Sequence, residues 1–153
     1  MPEPVRIFVD ADACPVKEEV YRVARRYAVP VHVVANAFLM VPKEPLIERV
    51  IVNAGPDVAD DWIAERAGPA AVVITTDIPL AGRCLKAGAQ VISPKGTPFT
   101  QASIGSALAG REIAEHLRSF GAMTSGPRPY APADRSRFLQ ALDQAVNRAR
   151  RRS

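Results

Sequence analysis

The feature that most constrains this chain is an alternation: short β-branched runs are followed, again and again, by longer stretches with helical spacing. The clearest run is 71–75, Ala-Val-Val-Ile-Thr, with Pro69 before it and Asp77-Ile78-Pro79 after it. Runs at 5–9, 31–35, 49–52 and 90–93 are also predicted strands, and the first ends at Asp10. Pro15 opens a predicted helix reaching Ala28, with Val16, Val20, Val23, Ala24 and Tyr27 on one face. Pro56 starts a second helix that carries Val58, Ala59, Trp62 and Ile63 inward and closes at Gly68-Pro69. A third helix is predicted over 79–87. Beyond residue 93 the strand signal stops. Residues 103–119 read as helical, with Ile104, Leu108, Ile113 and Leu117 as a stripe, and 121–133 as a loop. Asp134 caps or precedes a last amphipathic helix carrying Phe138, Leu139, Leu142 and Val146.

Strands alternating with helices predict an α/β three-layer sandwich: a mostly parallel five-stranded sheet covered on both faces, plus C-terminal helices. Right-handed crossovers leave few strand orders. In the order 3-2-1-4-5, strands 1 and 4 are neighbours where the winding reverses, and ligands bind outside the carboxyl ends of strands at such a point. A length of 153 residues suits one domain, set at 1–147.

The net charge of +4 invites a nucleic-acid reading, but four arginines lie in the short basic segment 148–153. Without them residues 1–147 are neutral. That basic end suits phosphate contact, and it equally suits a solvated helix terminus whose arginines complement the helix dipole. No apolar run approaches the roughly 20 residues of a membrane span, and the N-terminal residues lack a secretory pattern. The expected compartment is the cytoplasm. Two cysteines, Cys14 and Cys84, are too few for a disulfide framework or a four-ligand zinc site.

The predicted topology gathers acids. Asp10 closes strand 1, Asp12 follows, Asp77 closes strand 4, and the second helix begins near the same edge with Asp57, Asp60 and Asp61. Asp57 and Asp60, at i and i+3, share a helix face. Carboxylates packed so closely raise one another's pKa unless a cation neutralises them. Hard oxygen ligands suit Mg²⁺ or Mn²⁺, which would activate water and offset charge on a phosphodiester. Each acid also has a local role to fill, since aspartate after a strand commonly caps the next helix. Asn36, Lys17 and Lys95, the last in Ser93-Pro94-Lys95-Gly96, are candidate substrate contacts near the same edge. Cys14, ahead of Pro15, reads as a small packing residue.

The motifs D-A-D-A-C-P at 10–15, A-N at 35–36, G-P-D-V-A-D at 55–60, T-D-I-P-L-A at 76–81 and S-P-K-G at 93–96 resemble the bacterial YaiI/YqxD family. So do Phe99-Thr100, Gly126-Pro127, Asp134-Arg135 and Phe138, and the resemblance covers nearly the whole chain except its basic end. One departure is Ser125, where the family usually shows a glycine. The family is more distantly similar to PIN-like domains, commonly Mg²⁺- or Mn²⁺-dependent ribonucleases. That resemblance implies a PIN-like fold, with Asp10 as the first-strand aspartate, Asp57 or Asp60 as the helix acid, and Asp77 as the acid after strand 4.

Three functional readings follow. In the first, a metal-dependent nuclease acts on RNA or DNA, with Asp10 and Asp77 catalytic and Asp10, Asp12, Asp57, Asp60 and Asp77 as the metal-ligand set. In the second, the chain binds nucleotide or RNA through a metal without turnover. The third is a haloacid-dehalogenase-type phosphatase with Asp10 as nucleophile, Asp12 as general acid, and Thr76 and Lys95 in support. It lacks the acidic pair required after the lysine, for Asp134 is the next acid after Glu115.

Overall fold

The computed structural model describes residues 4–11, 17–53, 55, 57–105 and 131–152. Its strands are β1 (Arg6–Asp10), β2 (Val31–Ala35), β3 (Ile47–Ile51), β4 (Ala71–Ile74) and β5 (Gln90–Ile92). Its helices are α1 (Lys17–Tyr27), α2 (Val58–Arg66), α3 (Ile78–Lys86) and α4 (Pro132–Arg152). All five strands pair in parallel, in the order β3-β2-β1-β4-β5. This is the predicted order, so β1 and β4 are neighbours at the reversal of winding.

Period-two alternation divides the strands between two cores. Ile7, Val9, Val31, Val33 and Val72 join the side chains of α1 and α4 on one face. Phe8, Val34, Ala71, Val73 and Val91 join those of α2 and α3 on the other. A parallel sheet buried on both faces has no polar alternation, which is why β2 and β4 are buried throughout. Edge strand β3 is the exception, with Glu48 and Arg49 exposed.

Several elements differ from expectation. β3 covers Ile47–Ile51 and not 49–52, because its register is set by β2, where Val31 pairs with Ile47 and Ala35 with Ile51. Val58 was expected inward but is exposed at the first position of α2, while Ile63 is fully buried. Tyr21, outside the predicted stripe of α1, is buried with Val20, Val23 and Ala24. α4 begins at Pro132, inside the segment predicted as a loop. Asp134 therefore does not precede the helix. It lies in the first turn, and its Oδ2 accepts from the Ala131 N–H at 2.9 Å in a capping-box arrangement. α4 runs on through Arg152, with Ala149 buried and the Arg150 guanidinium 5.3 Å from the Tyr27 ring centre.

Helices α1 and α4 run side by side in the same direction. Arg135 pairs with Glu19 at 2.9 Å near their starts, and Tyr27 donates to Asp143 at 2.8 Å near the end of α1. The turn after β5 is fastened to α4 at Gly96. There φ is +85°, and a Cβ would lie 2.6 Å from the Arg137 carbonyl carbon. No helix among the described residues is long and apolar enough to cross a membrane.

Candidate functional site

The carboxyl ends of β1 and β4 set the geometry of the acidic edge. Val9 pairs with Ile74, so the next residues along each strand, Asp10 and Thr75, stand side by side. Thr75 is fully buried, and its hydroxyl donates to Asp10 Oδ2 at 2.8 Å. The Thr75 hydroxyl oxygen in turn accepts the Asp77 N–H at 3.0 Å. One hydroxyl thus ties the β1 acid to the backbone that carries the β4 acid.

Asp77 occupies the N-cap of α3, and its Oδ1 accepts the Leu80 N–H at 2.9 Å. The local role is therefore real: Asp77 is a helix cap. The cap uses one carboxylate oxygen and fixes the side chain at the sheet edge. On α2, Asp57 takes the N-cap position but makes no side-chain cap bond and is exposed. Asp61 turns away to Arg83 of α3 at 2.8 Å. Both partners are about half exposed, so this pair contributes only about 0.2–1 kcal/mol.

Asp60 is the acid that α2 contributes electrostatically to the edge. Its carboxyl is pushed up to about 6 by partial burial, then by the charges of Asp77, Asp10 and Asp57, with Arg83 opposing. α2 is held in place by Ile63 and by Trp62, whose ring meets Phe8 edge-on at 6.0 Å. Beside them His32 stacks on Phe8 at 5.1 Å and contacts Glu48 through Nδ1 at 3.0 Å.

Among the described residues, no three His, Cys, Asp or Glu side chains form a ready metal cage. Asp12 and Cys14 lie outside the described residues, as do Ser125 and most of the predicted helix 103–119. Topology brings the three minor candidates to the same end of the sheet. Asn36 follows β2 and is exposed, Lys17 begins α1, and Lys95 lies in the turn after β5. Thr76 is exposed, whereas its neighbour Thr75 contacts Asp10. Asp134 is fully buried and bonded to Arg137 at 3.0 Å.

Thr75 is the site residue that sequence reasoning missed. As a β-branched residue closing a β-branched run, it reads as a strand former. Its position two residues before Asp77, beside the end of β1, is the signal that identifies it. Thr75→Val keeps the shape and removes the hydroxyl, so Asp10 loses the Thr75 donor and the Asp77 N–H loses the Thr75 acceptor. A loss of about 1–3 kcal/mol is expected, or roughly 5 °C in Tm. Thermal melts of Thr75→Val and Thr75→Ser check this; the serine variant should recover most of the loss, and equal melts for both would contradict the assignment.

Comparison with known proteins shows the family of the chain. The family model described as "Uncharacterized BCR, YaiI/YqxD family" matches residues 8–148, so the chain belongs to that family. It is 63% identical over 149 residues to the UPF0178 protein bll3966 of Bradyrhizobium diazoefficiens, covering 97% of this chain and 89% of that protein. A UPF0178 protein of Caulobacter sp. is 62% identical over 145 residues, covering 95% of this chain and 96% of its own. One from Nitrobacter winogradskyi is 60% identical over 147 residues, covering 96% of this chain and 94% of its own. No solved structure matches the chain.

Proposed function

We propose that this member of the YaiI/YqxD family binds Mg²⁺ or Mn²⁺ at its acidic edge and hydrolyses phosphodiester bonds in RNA or DNA. The observation that carries this reading is the Thr75 hydroxyl, which joins Asp10 and the Asp77 backbone in one buried arrangement. An edge built only to cap α3 would have no need to hold a second, buried carboxylate beside the cap.

The donor set suits the ion. Mg²⁺ is held through one or two carboxylates together with waters and substrate phosphate, not by a closed protein cage. Asp10 and Asp77 supply the fixed carboxylates, and Asp60 is preferred over Asp57 as the α2 ligand because it senses both charges. When bound, the metal would lower the pKa of a coordinated water and offset charge on the phosphodiester. Thr75 holds Asp10 in orientation, and the α3 cap does the same for Asp77. Their positions are set before substrate arrives, so little reorganisation is needed.

Incubation with labelled RNA and DNA in Mn²⁺, beside small phosphate monoesters, tests the reading. Cleavage of the polymers without release from monoesters is expected. Phosphate release from monoesters alone would favour phosphatase chemistry, and retention without cleavage would leave a binding module.

The raised Asp60 carboxyl makes a prediction about pH. Its folded value of about 6 exceeds the ordinary 3.8, so the folded state retains a proton that the unfolded chain has lost. The stability it contributes is complete below about 3.8 and is lost as pH rises through 6. Mn²⁺ should therefore raise Tm more at pH 7.5 than at pH 5, and Asp60→Asn should flatten the pH dependence of the metal-free protein. Thermal melts across that range would contradict this if the Mn²⁺ shift were independent of pH.

A further inference from the structure

The segment between β2 and β3 carries chemistry that the acidic edge does not use. Parallel neighbours are usually joined by a crossover helix, but residues 36–46 return to the start of β3 without one. Leu39 and Val41 pack against the core beside α1, while Phe38 and Met40 stay 68% and 76% exposed. The Arg49 guanidinium lies 4.4 Å from the Phe38 ring centre and donates to the Leu39 carbonyl at 3.3 Å. Phe38, Met40, Val41, Lys43 and Arg49 line an open groove of about 460 Å³.

Charge and position say what such a groove takes. Among the residues lining the groove the one carboxylate, Glu44, is paired with Arg25, whose Nε lies 3.0 Å from each of its oxygens. Arg49 and the exposed Lys43 therefore set the sign of this surface. Phe38 follows the carboxyl end of β2, the end of the sheet that carries the acidic edge. Val34 is the register partner of Asp10, and Phe38 is four residues further on, within about 14 Å along the chain.

We propose that Phe38, Met40, Arg49 and Lys43 form a base-stacking subsite for single-stranded nucleic acid. An unpaired base packs on the exposed Phe38 ring and Met40, and the two cations take neighbouring phosphates. Stacking on an aromatic ring tolerates any base, since each has a π-face, but requires that face to be free. The subsite therefore selects single strands over duplex and leads the strand toward Asp10. Only that direction rests on the phosphodiesterase reading, because the stacking itself needs no metal.

Fluorescence anisotropy in EDTA tests the subsite with labelled oligouridylate and oligothymidylate of about 12 nucleotides, a length spanning an ordinary single-strand site. The same length of duplex is the control. Binding of either single strand is expected to weaken roughly tenfold in Phe38→Ala, to persist in Phe38→Trp, and to exceed duplex binding. Equal affinity of wild type and Phe38→Ala, or no wild-type binding to either strand, would overturn the proposal. So would sedimentation showing a wild-type dimer that Phe38→Ala dissolves, since the face would then be a contact between copies. Mn²⁺ calorimetry on the same preparations reports the acidic edge separately, so the two readings fail independently.

Discussion

Replacing Asp10 by asparagine is expected to lower Mn²⁺-dependent cleavage by roughly three orders of magnitude while leaving the fold intact. The size follows from the several kcal/mol that a bound metal contributes at a phosphoryl centre, where about 1.4 kcal/mol is tenfold in rate. The substitution keeps the shape and retains an oxygen to accept the Thr75 hydroxyl. It removes one of the charges that raise Asp60, so the metal-free variant should melt no lower than wild type. Single-turnover cleavage and a thermal melt on one preparation separate the effects. A variant that melts like wild type and still cleaves would remove Asp10 from the chemistry.

Gly96→Ala is expected to be the most damaging small substitution in the described chain. The new methyl carbon would lie 2.6 Å from the Arg137 carbonyl carbon and 2.7 Å from the Phe138 nitrogen, both backbone atoms that cannot swing aside. The residue also sits at φ +85°, which side chains with a Cβ rarely adopt. Overpacking and backbone strain together cost about 2–5 kcal/mol, or roughly 5–20 °C in Tm. The turn cannot retreat easily: Ser93 and Thr97 bond each other through both backbone and side chain, and Pro94 is buried. Thermal unfolding of Gly96→Ala checks this, and a change under about 2 °C would mean that the turn and α4 are not in contact. Because α4 covers one face of the sheet together with α1, the variant should also lose the acidic edge on warming.

Why some of this was legible in the sequence and some was not has physical reasons. Strand order was legible because β-branched runs separated by helical spacing leave few right-handed parallel arrangements. Asp10 was legible because it ends the first β-branched run, and Asp77 because it stands just before Ile78-Pro79 at a helix start. The limits of β3 were not, since an edge strand buries only one flank and tolerates Glu48 and Arg49 in its middle. The start of α4 was hidden because Pro and Ala in 128–133 resemble a loop until Asp134 reaches back to Ala131. Thr75 escaped because its hydroxyl acts only through a partner 65 residues away in sequence. Phe38 escaped for a similar reason: a lone aromatic in a loop has meaning only when Arg49 of another element lies over it.

The partition of the α2 acids likewise depended on three dimensions. Asp57, Asp60 and Asp61 are nearly contiguous, yet one is exposed at the helix start, one is engaged by Arg83, and one senses Asp10 and Asp77. Helical spacing grouped Asp57 with Asp60. The packing of α2 on Phe8 and the reach of Arg83 separate them.

The claim at the centre of this account is that the acidic edge holds a divalent cation, and calorimetric titration of Mn²⁺ into the metal-free protein tests it most directly. A saturable heat at pH 7.5 is expected for wild type, lost in Asp10→Asn and in Asp77→Asn and weakened in Thr75→Val. A wild-type titration with no heat of binding, or an unchanged isotherm in both aspartate variants, would contradict it.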